Sequence, residues 1–162
     1  MNIADIINNP KFYHVGLIVK DAESTLQQMS QIFPNISHIN KINVKTQDPN
    51  DLIVGAPFEL ICMTFRVDRI AFELVQPVAG RCEDSYQARA LSEFGEGFHH
   101  VAYVYPKEHF DKVVQNMLDN GYEIAFASKM GGGVRRCFYL APKDNPGLVV
   151  ELLDGTAAPI DY

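Results

Sequence analysis

The spacing of hydrophobic residues alternates between strand-like and helix-like, and the same order of spacings occurs twice along the chain. In each copy an apolar, β-branched run predicts a strand, apolar residues at helical spacing then predict a helix, and three further apolar runs predict strands. The pattern therefore predicts two βαβββ modules. The predicted strands are 13–20, 36–46, 58–66 and 69–76 in the first module, and 99–105, 122–128, 134–141 and 147–153 in the second.

Residues typical of helix ends mark the helix of each module. Asp21 is a good N-cap for the first helix, and Pro34-Asn35 is expected to stop it. In the second module Pro106 suits the first helical position. Gly121 suits the position just past the helix end, where the backbone often turns left-handed. Both helices therefore have a start and a stop in the sequence.

The modules are expected to form one α+β domain. Each is too small to bury the apolar surface that an independent fold needs, so the two are expected to share a core. A linker with a predicted helix at 85–94 joins them. The expected domain covers 11–158, with module one at 11–77, the linker at 78–97 and module two at 98–155.

Composition narrows the function classes. The net charge of −6 argues against nucleic-acid binding, which needs clustered Lys and Arg. No apolar run reaches the roughly 20 residues of a membrane span, and the N-terminus lacks the basic start of a signal peptide. Three widely spaced cysteines, Cys62, Cys82 and Cys137, are typical of reduced thiols in the cytoplasm. A small molecule is the expected partner.

The repeat places two histidines and two glutamates at equivalent points. His14 aligns with His100, and Glu73 aligns with Glu151. A pseudo-twofold axis between the modules would bring all four side chains together. Imidazole with carboxylate suits manganese, iron, cobalt, nickel or zinc as the divalent ion. Four protein ligands on an octahedral ion would leave two positions open, as catalytic sites require.

The neighbours of these residues favour a buried site. Strand side chains alternate between faces, so His14 shares a face with Gly16, and His100 shares one with Ala102. Such small residues leave room beside each imidazole. Both glutamates lie in apolar strands, where a carboxylate is costly unless it is paired or bound to metal. A single strand His or Glu is more often structural or solvent-facing, but the four together favour a metal site.

The other three histidines are interpreted as structural. His99 is expected to point to the face opposite His100, although a shift in register would exchange the two. His38 and His109 lie outside the paired positions and are expected on the surface.

Two segments are not assigned by the repeat pattern. Residues 47–57 are rich in turn-forming residues, so the pattern favours a loop and assigns no strand or helix there. Residues 130–136 hold three glycines followed by Arg135 and Arg136. This segment is either a mobile loop with cations for an anionic substrate or, as we favour, a flexible hairpin with surface arginines.

The paired modules resemble the vicinal oxygen chelate superfamily, which includes glyoxalase I, methylmalonyl-CoA epimerase, extradiol dioxygenases and the fosfomycin and bleomycin resistance proteins. The resemblance covers about residues 11–155. Its most specific parts are Phe72-Glu73-Leu74-Val75-Gln76-Pro77 and Gly95-Glu96-Gly97-Phe98-His99-His100-Val101-Ala102, which are similar to the E-L-x-x-P and G-x-G-x-H-H stretches of the epimerases. It implies a curved, barrel-like mixed sheet around a metal site, with His14, Glu73, His100 and Glu151 as ligands.

The resemblance implies a metal-dependent isomerase or lyase of the glyoxalase or methylmalonyl-CoA epimerase kind. In such an enzyme two substrate oxygens chelate the ion, an enediolate forms, and Glu151 removes the proton α to the carbonyl. Glu73 is expected to share in this proton transfer. The expected substrate is an acyl-CoA or a hemithioacetal-like compound. The expected assembly is a cytoplasmic homodimer, with the site within one chain or across the two.

Glu59 decides how closely the chain follows the epimerases, which carry a second glutamate in the strand before the first carboxylate ligand. Glu59 lies near that position. If the turn near Val67-Asp68 uses two residues, Glu59 faces away from Glu73; if it uses three, the two glutamates share a face.

Two other function classes compete with the isomerase. One is a non-enzymatic protein that binds and sequesters a drug, as in bleomycin resistance. The other is oxygen chemistry or thiol transfer on a centre of two histidines and one carboxylate. Neither needs a fourth ligand, so Glu73 argues against both.

Overall fold

The computed structural model describes residues 10–131 and 133–155, which form nine strands and three α-helices. Residues 156–158 of the expected domain lie outside the described residues, as does Gly132 of the glycine-rich segment. The strands are β1 (Lys11–Ile18), β2 (Ile36–Lys45), β3 (Leu52–Val54), β4 (Glu59–Val67), β5 (Ile70–Pro77), β6 (Gly97–Tyr105), β7 (Tyr122–Met130), β8 (Arg135–Pro142) and β9 (Val149–Asp154). The helices are α1 (Ala22–Ile32), α2 (Tyr86–Phe94) and α3 (Lys107–Asp119).

All nine strands form one sheet with the order β2-β4-β5-β1-β6-β9-β8-β7-β3. The first four strands mirror the next four, so that β1 corresponds to β6, β5 to β9, β4 to β8 and β2 to β7. β1 runs parallel to β5 and β6 runs parallel to β9, while β1 and β6 pair antiparallel at the centre. This is the expected mixed α+β sheet, curled into a half-barrel, with the pseudo-twofold axis between β1 and β6.

The predicted strands and helix ends are confirmed within a few residues. Asp21 caps α1, because its Oδ1 accepts a hydrogen bond from the Ser24 backbone N–H at 2.9 Å. Gly121 follows α3 with φ of 87°, the left-handed conformation expected just past a helix. Pro106 is the N-cap of α3 and not its first residue.

Residues 47–57 are more ordered than the sequence predicts. Asp48 caps a short 3-10 turn at Pro49–Asp51, and β3 follows it directly. β3 adds to the edge of β7, with Leu52 opposite Ser128. The pattern assigned no element here, because the partner that orders this segment lies in the other module.

Two helices cover one face of the sheet and leave the other for the site. α1 packs Ala22 and Leu26 against β4 and β5, and α3 packs Phe110 and Val113 against β8 and β9. Fully burying a large apolar side chain such as Phe110 contributes about 1.5–3 kcal/mol. No helix within 10–131 and 133–155 is long and apolar enough to cross a membrane.

The opposite, inner face carries its own apolar cluster. Its buried members come from β4 to β9 and from the loops beside them: Phe58, Leu60, Cys62, Val75, Val104, Phe126, Cys137, Tyr139, Ala141, Val149 and Leu153. Helix α2 covers part of this face, since its Tyr86 packs against the cluster. The inner face is therefore the place where the two modules share a core.

Small residues let the central strands carry two imidazoles on this face. Gly16 of β1 lies opposite His100 of β6, and His14 lies opposite Ala102. A Cβ atom at Gly16 would lie 2.0 Å from Cε1 of His100, far inside van der Waals contact. Gly16 therefore makes room for His100, the histidine of the other module.

The substitution Gly16→Ala is expected to lower the free energy of unfolding by about 1–3 kcal/mol, because the new methyl group must displace the His100 ring. Urea denaturation checks this. Gly147→Ala is the matched control, since a Cβ there meets its nearest atom at 3.7 Å and should change stability by less than about 0.5 kcal/mol. Equal effects from the two substitutions would contradict the close approach.

Candidate metal centre

The fold brings together the four residues that the repeat pairs. His14 lies on β1, Glu73 on β5, His100 on β6 and Glu151 on β9, and one ligand atom from each lies within 4.8 Å of the others. The two Nε2 atoms are 2.9 Å apart, and each lies 3.1 Å from Oε2 of Glu151. Oε2 of Glu73 lies 3.4 Å from His14 Nε2 and 3.7 Å from His100 Nε2. All four residues come from one chain, so the cluster needs no second subunit.

Four of these five distances are those expected around a single bound ion, and the fifth, 3.7 Å, is slightly longer. Metal–ligand bonds of about 2.0–2.2 Å place neighbouring ligand atoms about 2.8–3.6 Å apart at tetrahedral or octahedral angles. In addition, Oε2 of Glu151 is buried and accepts no hydrogen bond of good geometry from the described residues. A buried carboxylate oxygen without such a partner is costly, so the cluster could hold a divalent cation.

Protonation of His14 offsets part of the carboxylate charge in the metal-free cluster. Burial alone would lower the pKa of His14, but the carboxylates of Glu73 and Glu151 outweigh it and raise this pKa to about 10. Burial opposes ionisation of Glu151, yet the imidazoles of His100 and His14 hold its pKa well below the usual range. The metal-free site therefore keeps a proton on His14 at neutral pH.

Two buried cysteines, which the sequence did not connect to the site, each stand beside a carboxylate. Cys137 donates a hydrogen bond from Sγ to Oε1 of Glu151 at 3.0 Å, which leaves Oε2 to face the imidazoles. Cys62 lies near Glu73, whose carboxylate adds to the effect of burial in raising the pKa of the Cys62 thiol. Burial, reinforced by the carboxylates, raises the pKa of both thiols, so they stay protonated donors. A search for residues at equivalent strand positions of the repeat would have found this pair.

His99 does not point to the opposite face from His100, so that expectation was wrong. Gly16 pairs with His100 while Leu17 pairs with Phe98, which leaves His99 as the extra residue of a β-bulge. The bulge turns His99 to the inner side, where its Nδ1 lies 2.9 Å from Nδ1 of His100. Burial, with His100 adding to it, lowers the pKa of His99 to about 3, so this ring is neutral.

Aromatic rings form the wall beside His100. Tyr139 lies opposite Glu151 in the β8–β9 pair and stacks on His100 with ring centroids 5.1 Å apart. Tyr86 of α2 contacts both His99 and Tyr139. No sequence pattern predicts these contacts, because they depend on the β8–β9 register and on where α2 lies on the sheet.

Glu59 lies outside the cluster. Val67 pairs with Ile70, so the β4–β5 turn has two residues, and Glu59 faces away from Glu73 as the two-residue alternative predicts. Its carboxylate pairs with Arg81 at 3.0 Å. Glu59, which lies near the position of the epimerases' second glutamate, therefore places no carboxylate on the inner face.

Arg136 is held by contacts within the protein. Its guanidinium pairs with Asp154 at 2.7 Å and with Asp111 at 2.6 Å, and it lies over the ring of Phe110. The favoured interpretation of this segment, a hairpin and not an anion site, agrees with these contacts.

Of the remaining histidines, His38 is exposed as expected. His109 is half-buried on α3, so its expected surface position is only partly right.

Comparisons with known proteins agree with this geometry. Residues 13–140 match the Glyoxalase/Bleomycin resistance protein/Dioxygenase superfamily. The chain belongs to this superfamily, whose fold is that of the vicinal oxygen chelate proteins. No curated protein matches the sequence significantly.

Several solved structures share the fold. A hypothetical protein of Bacillus halodurans, BH1468, aligns with 17% identity and a TM-score of 0.62, covering 92% of this chain and 96% of its own. A variant of Streptomyces coelicolor methylmalonyl-CoA epimerase bound to 2-nitronate-propionyl-CoA aligns with 22% identity and a TM-score of 0.55, covering 91% and 98%. Methylmalonyl-CoA epimerase from Mycobacterium tuberculosis aligns with 19% identity and a TM-score of 0.55, covering 93% and 91%. At these identities the likeness establishes the fold.

Binding of a divalent cation to the cluster is expected to release a proton. His14, with a pKa of about 10, is protonated in the metal-free protein at neutral pH, whereas a metal ligand must be neutral. Below that pKa the apparent affinity should therefore rise about tenfold per pH unit. Competition between the protein and a chelator for cobalt, followed across neutral pH, measures the slope. An affinity independent of pH would contradict the raised pKa.

The substitution Cys137→Ala is expected to weaken metal binding by about 10- to 100-fold, because Glu151 loses the donor that orients it. Cys137→Ser keeps a donor and should bind nearly as tightly as the unaltered protein. Cys82→Ala, at a cysteine outside the cluster, is the matched control and should have no effect. The role of the thiol is wrong if alanine and serine at Cys137 bind metal equally well.

Proposed function

We propose that this protein is a metal-dependent isomerase or lyase that moves a proton α to a carbonyl group. The observation that carries the proposal is the convergence of His14, Glu73, His100 and Glu151 from four strands of one chain. Membership of the superfamily and the epimerase-like fold support it. A protein that only sequesters a ligand has no need for four convergent ligand atoms, three of them on buried residues.

The four residues would hold the ion in this proposal. Zinc, nickel, cobalt and manganese all suit two imidazoles and two carboxylates. A divalent ion there would polarise a substrate carbonyl and make the proton on the adjacent carbon more acidic. Four protein ligands leave room for up to two further oxygen ligands on an octahedral ion.

The two carboxylates are the groups that we assign to proton transfer. Glu151, ionised and oriented by Cys137, removes the proton. Glu73, the second carboxylate on the inner face, takes up a proton from water and delivers it to the substrate, and Glu151 then releases the abstracted proton to water. Glu59 takes no part, because it faces away and pairs with Arg81. This arrangement differs from the epimerases in the source of the second acid.

The substrate in this proposal is an acyl-CoA or a hemithioacetal. The fold resembles that of an epimerase solved with 2-nitronate-propionyl-CoA and of another solved with methylmalonyl-CoA. We further propose a cytoplasmic homodimer. The free thiols of Cys62, Cys82 and Cys137 support a reducing compartment.

Hydrogen exchange tests the reaction directly. Zinc-, nickel-, cobalt- and manganese-loaded protein is incubated in D2O with methylmalonyl-CoA and, separately, with the hemithioacetal of glutathione and an α-ketoaldehyde. Deuterium should enter at the carbon next to the carbonyl in one of these substrates. Glu151→Gln should slow this exchange by about 100- to 10,000-fold, the usual contribution of a general base.

Glu59→Gln is the matched control, because it makes the same change at a glutamate outside the cluster and should leave the exchange rate within about twofold. Elemental analysis of the same samples gives the metal content. If the protein binds none of the four ions, the proposal of a metal-dependent enzyme is wrong, and a protein that sequesters a small molecule is favoured. Metal-loaded protein that exchanges no proton in either substrate would overturn the proposed substrates.

A further inference from the structure

A cavity of about 240 Å³ lies between α2 and the inner face of the sheet, at the end where β1 stops and β6 and β9 start. None of the described residues that line it is a candidate metal ligand. Gly95 and Gly97 border it in the loop before β6, and a Cβ atom added to either would meet no atom within 4 Å. The cavity is therefore separate from the candidate metal centre and open at this loop to a small molecule.

Apolar side chains form the wall on two sides. Ile18 and Val149, each 2% exposed, come from inner-facing positions of β1 and β9. On α2, Tyr86, Ala90 and Phe94 follow one another at intervals of four residues and therefore share one face of the helix. The space is thus bounded by apolar groups from both the sheet and the helix.

The polar residues in the wall favour an uncharged ring. Glu96, the charged residue among the described residues that line the cavity, is exposed, and its Oε1 accepts a hydrogen bond from the Lys20 backbone N–H at 2.7 Å. A carboxylate at this position disfavours an anionic ligand. Tyr86 and His99 pack on each other and on Tyr139, with ring centroids 5.5–5.6 Å apart. Packed rings of this kind favour a further ring in an edge-to-face or offset arrangement.

We propose that this cavity is a binding site for an uncharged aromatic ring carried by a small molecule. An apolar cavity of about 150 Å³ takes up benzene. The present cavity, at about 240 Å³, has room for a ring with a short substituent. Ala90 keeps this space free on the helix side, since it is buried and its side chain is a single methyl group. The site is additional to the proposed function and does not rest on it, because no candidate metal ligand lines the cavity.

Substitutions on α2 test the site. Toluene is titrated into ¹⁵N-labelled protein, both metal-free and zinc-loaded, and binding is followed by NMR. Saturable shifts are expected at the amides of Ala90 and Val149 in both forms. Ala90→Leu should weaken binding by about 10- to 100-fold, because toluene and the larger side chain compete for the same space. Ala88→Leu, the matched control, makes the same change on α2 outside this wall and should keep the affinity within about twofold.

Two further compounds test the class of ligand. Benzoate, a charged ring, should bind at least about tenfold more weakly than toluene, because its carboxylate must lose water on entering an apolar space. Methylcyclohexane has a similar shape but no aromatic ring, and it should bind about two- to tenfold more weakly than toluene. Equal binding of methylcyclohexane and toluene would overturn the preference for an aromatic ring.

The unaltered protein provides a readout that does not depend on the folding of a variant. The proposal is wrong if toluene causes no saturable shift at Ala90 or Val149, or if benzoate binds as tightly as toluene. Unweakened binding to Ala90→Leu would also contradict it. Toluene binding in the zinc-loaded protein alone would overturn the separation of the cavity from the metal centre. Protein that binds toluene in this cavity but no zinc contradicts the proposed function and supports the site.

Discussion

The antiparallel pairing of β1 with β6 is the constraint on which the site depends. In this pair Gly16 faces His100, and Ala102 faces His14, so each module supplies the space that the histidine of the other module needs. A larger residue at Gly16 would push the two imidazoles apart. The parallel neighbours β5 and β9 then add their glutamates from either side. A four-residue cluster that could hold a metal, placed at a pseudo-twofold axis, follows from four strands and two small residues.

The symmetry extends beyond the four ligands. Cys62 stands beside Glu73 as Cys137 stands beside Glu151, and a bulge precedes each histidine, with Tyr13 and His99 as the extra residues. Each bulge brings a ring next to the following imidazole. The repeat therefore includes the thiol near each glutamate and the ring beside each histidine, as well as the four candidate ligands. This agrees with a role for both carboxylates.

The surroundings of the histidine and the glutamate differ between the two modules. The residue opposite Glu73 is Thr64, whereas the residue opposite Glu151 is Tyr139, and the Glu73 side chain is the more exposed, at 14% against 6%. His100 has His99 as a partner for its Nδ1, while Nδ1 of His14 has none among the described residues. Two carboxylates in unlike environments can take different proton-transfer roles, as general acid–base chemistry requires.

The sequence alone determined the modules, the four clustered residues and the order of the helix and most strands along the chain in each module. It could do so because a repeat duplicates local periodicity, and local periodicity reports which face of each strand is buried. Because side chains alternate between faces along a strand, the sequence also limited Glu59 to two possible orientations. It could not determine the length of the β4–β5 turn, which selects between them.

Only the tertiary structure decided the features that depend on pairing between distant strands. These are the addition of β3 to β7, the bulge that turns His99 inward, the thiol beside each carboxylate, and the cavity under α2. A one-residue bulge reverses the face of a side chain without changing the apolar pattern that a sequence displays. Hydrogen bonds between strands, and not the spacing of residues along the chain, therefore determine which side chains surround the candidate metal centre.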